Sequence, residues 1–105
     1  SWEGWIIEQI LGHLQSKGRS FQAFHLRTSD QREIDLLLEY RSQLWAFEIK
    51  LSSVPHTDSL NALRQTADLV GADYTALISR TTQPVQGDKT ASLNLDSTLD
   101  MLELL

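Results

Sequence analysis

Apolar positions near the start of the chain recur at helical spacing. Trp2, Ile6, Ile10 and Leu14 share one stripe, with Ile7 and Leu11 beside it, and predict an amphipathic helix over 2–17 that Gly18 stops. Residues 20–28 shift toward alternation and read as a strand, with Phe24 and Leu26 partly buried; Thr28-Ser29-Asp30-Gln31 has turn chemistry. The clearest period-2 signal follows. In 32–40, Ile34, Leu36 and Leu38 fall on one face, and Asp35, Leu37 and Glu39 on the other. In 44–51, Trp45, Phe47, Ile49 and Leu51 oppose Leu44, Ala46, Glu48 and Lys50.

These two runs fold into a hairpin whose apolar faces must share one core. One register pairs Leu38 with Trp45, sets Asp35 opposite Glu48 and turns at Arg41-Ser42. The next sets Asp35 opposite Lys50 and turns at Ser42-Gln43. Neither turn has Asn-Gly or Gly-X chemistry, so both registers stay open. In either, Asp35, Glu48 and Lys50 lie within cross-strand reach on one face.

Beyond a polar loop at 52–58, Thr57 or Asp58 caps a helix running to about Val70, with Leu60, Leu63, Ala67 and Val70 inward and Gly71 at its end. Arg64 and Gln65 read as exposed. Tyr74 to Ser79 is an apolar central strand, parallel to the Glu48 strand because a helix connects the two. Residues 80–90 form a loop; Gly87-Asp88-Lys89-Thr90 lacks the first glycine of a phosphate-binding loop. Ser92 to Leu95 reads as a short edge strand, and Asp96 caps a last helix over 97–105.

The acids and the lysine in the hairpin suit a hard cation. Magnesium takes oxygen ligands, often one or two carboxylates completed by water and phosphate oxygens, and manganese can replace it. Such an ion polarises a phosphoryl group and helps form hydroxide from water, while an adjacent lysine orients that water or offsets phosphate charge. The plainer reading is a solvated sheet face on which Lys50 bridges Asp35 and Glu48. Glu8, on the first helix, is either a further carboxylate aimed at the same ion or an acid at the edge of the buried face. His13 and His25 read as surface and structural residues.

Composition narrows the classes. The chain has 105 residues, enough for one domain over 1–105, and no repeat. It has no cysteine, which excludes a disulfide framework and a thiolate metal site and is compatible with the cytoplasm. No run approaches a membrane span. The net charge of −5 counts against tight nucleic-acid binding by charge alone, though a bound cation would supply positive charge locally. The start, Ser-Trp-Glu-Gly, reads as a piece of a longer protein.

The predicted order is α-β-β-β-α-β with a small β-α tail. With an acid on the first helix, Asp35 on the second strand and Glu48-x-Lys50 on the third, it resembles the PD-(D/E)XK nuclease superfamily across 1 to about 79. More narrowly, Gly4-x-x-x-Glu8, Leu26 to Asp30, Glu33-Ile34-Asp35 and Glu48 to Ser53 resemble the nuclease-like domain at the C-terminal end of many prokaryotic AAA+-type ATPases. The resemblance implies a restriction-endonuclease-like α/β fold, a mixed central sheet flanked by helices with a C-terminal β-α extension. It also implies Asp35 and Glu48 as magnesium ligands, Lys50 as the catalytic lysine and Glu8 as an accessory acid. Ile34 stands where the family's proline would be. Some branches carry a glutamine and a tyrosine on the second helix; Gln65 matches the first, but Leu69 replaces the second.

Three functions compete. One is magnesium-dependent phosphodiester hydrolysis of nucleic acid, DNA before RNA, beside an ATPase module of the same chain. The second is a catalytically inactive module of the same fold that docks DNA or protein. The third is a structural domain in which Lys50 bridges the acids.

Overall fold

A computed structural model describes residues 1–105. The element order is α1 (Trp2–Ser16), β1 (Phe21–Arg27), β2 (Glu33–Tyr40), β3 (Gln43–Ile49), α2 (Thr57–Leu69), β4 (Tyr74–Ile78), β5 (Val85–Gln86), β6 (Thr90–Leu93) and α3 (Leu95–Met101). The strands form one mixed sheet in the order β1-β2-β3-β4-β6-β5. β1, β2 and β3 make an antiparallel meander; β4 lies parallel to β3, β6 parallel to β4, and β5 antiparallel to β6. The αβββαβ core expected from the sequence is present, with helices on both faces.

The larger core lies under α1 and α3. Ile6, Ile10 and Leu14, the stripe read from helical spacing, pack there with Leu36, Leu38, Trp45, Phe47, Ile49 and Ile78, joined by Leu99, Leu102 and Leu104. The smaller core lies under α2, where Leu63 and Ala67 meet Ile34 and Ala46. Gly18 and Gly71 follow α1 and α2 at φ 65° and 71°, conformations that favour glycine.

The hairpin register is the first of the two. Tyr40 pairs with Gln43, Leu38 with Trp45 and Leu36 with Phe47, so Arg41 and Ser42 form the loop and the ladder ends one pair short of Asp35 and Glu48. Both loop residues have positive φ, 55° and 61°, as the twist of a two-residue hairpin demands even without glycine.

Several expectations are corrected. Ile34 does not share a face with Leu36 and Leu38. Phe24 pairs with Leu37 and Leu26 with Ile34, so His25 on β1 faces two residues, Asp35 and Leu36, on β2. That bulge resets the alternation and sends Ile34 to the α2 side. Phe24 and Leu51 are exposed, because β1 is an edge strand and β3 stops at Ile49. α2 starts at Thr57 with His56 in the N-cap position and no side-chain cap, since Thr57 and Asp58 lie inside its first turn. The strand near Ser92 begins at Thr90 and is not an edge, because Val85–Gln86 pairs on its outer side. α3 is capped by Asn94 rather than Asp96, in a reciprocal box with Ser97.

Candidate active site

The charged hairpin residues gather where β3 ends. Asp35 is buried, and its Oδ2 accepts a hydrogen bond from the Ile49 N–H at 2.8 Å. The bulge makes this contact: with an extra residue on β2, the Asp35 side chain reaches toward the β3 backbone. Beyond Ile49 the chain stays tied to the sheet, since the Lys50 N–H donates to the Ile78 carbonyl at 2.8 Å. Lys50 is thus fixed at its backbone, with its ammonium beside Glu48.

Glu48 is partly buried. Its Oε1 lies 3.5 Å from the Lys50 Nζ, in a pair whose lysine side is half exposed. Burial raises the Glu48 pKa, the Asp35 and Glu33 charges push it further, and the Lys50 ammonium opposes them. Glu48 and Lys50 open on a groove of about 390 Å³ between the sheet and α2, which Arg32, Glu33, Ser59 and Gln65 also line. Gln65, read as merely exposed, is exposed and borders this groove.

Glu8 lies elsewhere. It is exposed, two positions from both Ile6 and Ile10, so about 100° of turn per residue carries it off the buried stripe. Glu3 is the helix acid beside Asp35. Partial desolvation raises its pKa, as do the Asp35 charge, a hydrogen bond with Asp35 and the Glu33 charge, while His25 opposes them. Helical spacing held the signal: Glu3 precedes Ile6 by three and Ile10 by seven. His25 contacts the site through Nδ1, 3.4 Å from the Asp35 carbonyl.

Both raised carboxyls have the same origin, desolvation together with neighbouring acids, so the cluster carries more negative charge than its lysine offsets. A divalent cation would relieve that excess. No three His, Cys, Asp or Glu side chains converge to hold an ion by themselves. A magnesium or manganese ion here would take Asp35 and Glu48 as its protein ligands, with water and phosphate completing the shell. No helix is long and apolar enough to cross a membrane.

In comparison with known proteins, residues 1–97 match a family model described as a domain of unknown function (DUF4143). No curated protein matches the chain.

Proposed function

The chain belongs to the DUF4143 family, whose function is unknown, and on the chemistry of its site we propose that it is a magnesium-dependent phosphodiesterase domain acting on nucleic acid. The supporting observation is the Asp35 carboxylate bound to the Ile49 N–H, one residue beyond Glu48, with the Lys50 ammonium 3.5 Å from Glu48 at a groove mouth. The resemblance to PD-(D/E)XK nucleases motivates the reaction. The family's association with AAA ATPases motivates the accessory role, and cytoplasmic action follows from that role.

In this reading Asp35 and Glu48 hold the ion and Glu3, rather than Glu8, is the accessory acid. Bound there, magnesium supplies Lewis-acid activation of the phosphoryl group and of water. The protein's own part is positional. The Ile49 N–H fixes the Asp35 carboxylate, the sheet fixes Glu48, and Lys50 presents a proton donor and a positive charge where a phosphate oxygen becomes more negative.

A second reading, the inactive docking module, draws on the Lys50–Glu48 contact: the ammonium already occupies the position beside Glu48 that the ion needs.

Calorimetric titration with manganese or magnesium separates the two. Wild type is expected to bind saturably, and Asp35→Asn and Glu48→Gln to lose binding. Asparagine is the informative change at Asp35 because its carbonyl still accepts from Ile49. Asp35→Ala strands a buried N–H, and is expected to cost about 1–3 kcal/mol of stability in denaturant melts. Cleavage of single- and double-stranded DNA should then fall about 100-fold or more in Lys50→Ala. Metal-dependent cleavage that survives in Lys50→Ala sinks the assignment. Absence of binding in wild type favours the docking module.

A further inference from the structure

The sheet has two ends, and the chain treats them differently. β5 closes one end with two residues, set between Pro84 and Gly87, too short to template another strand. β1 closes the other with seven. The backbone of Phe21–Arg27 makes no hydrogen bond outside its ladder with β2, so the outward N–H and C=O groups along β1 have no partner in the chain.

Apart from the bulge in its ladder with β2, β1 also lacks the features that guard such an edge. It has no proline, no lysine and one charge, Arg27, which its own chain neutralises through Glu33 at 2.6 Å. At its centre stands Phe24, 47% exposed, on the α2 side beside the half-buried Leu37. Leu26 continues that apolar side, and α2 covers the sheet only beyond it.

We propose that β1 pairs antiparallel with β1 of a second copy, about a two-fold axis through Phe24, joining two six-stranded sheets into one. The strand's own sequence selects this occupant. About that axis Phe24 meets Phe24, Gln22 meets Leu26, Ala23 meets His25 and Phe21 meets Arg27. All seven residues are used. Each Arg27 falls opposite an aromatic ring, and no like charges face each other. Shifting the axis one residue toward the C-terminus sets two His25 side chains against each other, and shifting it one residue the other way leaves Leu26 and Arg27 without strand partners. A symmetric contact of this kind is self-limiting, because pairing consumes the edge in both copies.

The test is sedimentation velocity on the 105-residue chain from low to high micromolar concentration. The weight-average mass is expected to climb from 11.9 kDa toward twice that value. Phe24→Lys places two ammonium groups on the axis and should weaken association about tenfold or more, with unchanged circular dichroism and melting because the position is half exposed. The chain has no cysteine, so Phe24→Cys can form a disulfide only between copies. The Cα separation of directly opposed antiparallel residues suits that bond, and Phe24→Cys is expected to cross-link faster than the exposed control Asp96→Cys. A wild type that stays monomeric throughout overturns the second copy as occupant. So does a folded Phe24→Lys variant that associates like wild type. Cross-linking no faster than the control overturns the axis.

Discussion

At the scale of single residues, Glu48 couples the site to stability. Its folded pKa is raised by burial and by Asp35 and Glu33, so the folded protein holds that proton more tightly than the unfolded chain. The resulting stabilisation is complete below the ordinary carboxylate pKa and is lost as pH rises through the higher folded value. Above that window the ionised side chain works against the fold. Glu48→Gln is therefore expected to melt higher than wild type at neutral pH, with the difference closing in acid. A difference that stays constant across a pH series of thermal melts contradicts this origin. The sequence made Asp35, Glu48 and Lys50 legible because charges stand out in an apolar alternation. For the helix acid the motif spacing pointed to Glu8, which is exposed and off the buried stripe, whereas helical periodicity counted from Ile6 and Ile10 reaches Glu3, the acid beside Asp35.

At the scale of elements, the hairpin loop departs furthest from local preference. Ser42 sits at φ 61° with a side chain that disfavours it, and a left-handed residue costs roughly 1–2 kcal/mol. Glycine removes that strain but adds chain entropy to the unfolded state. Ser42→Gly is expected to gain about 0.5–1 kcal/mol in urea melts, the surplus of relieved strain over added entropy. Arg41 is better left, since its guanidinium pairs with Glu103 and lies 5.1 Å from the centre of the Tyr40 ring. Periodicity located β2 and β3 and, through the shared core, limited them to two registers; turn chemistry could not choose because the loop used matches no preferred dipeptide. The bulge was hidden for a related reason. A strict alternation through Ile34, Leu36 and Leu38 looks regular in sequence, and only the ladder to β1 reveals the extra residue. β5 is two residues long, too short to leave a period.

At the scale of the molecule, the strand order divides the sheet into halves of different character. From Phe21 to Ile49 every strand pairs with its neighbour in sequence. Beyond β3 the β3–β4 and β4–β6 pairs are parallel and remote, Trp45 meeting Tyr74 and Thr75 meeting Thr90, and only the two-residue β5 pairs antiparallel with its neighbour. That division was legible, since a helix between two apolar strands implies a parallel return. It also sets a timetable. Short loops close sooner than long ones, so the meander can assemble before α2 swings β4 onto it, and β6 and α3 dock last. Truncations in the early half, such as Leu38→Ala, should chiefly slow refolding, whereas Leu93→Ala should chiefly hasten unfolding, a contrast stopped-flow chevrons can read. Asp35 and Glu48 both belong to the half that forms first. Lys50, whose amide is held by the Ile78 carbonyl, reaches its final setting only when β4 arrives, so the acids would be in place before their lysine.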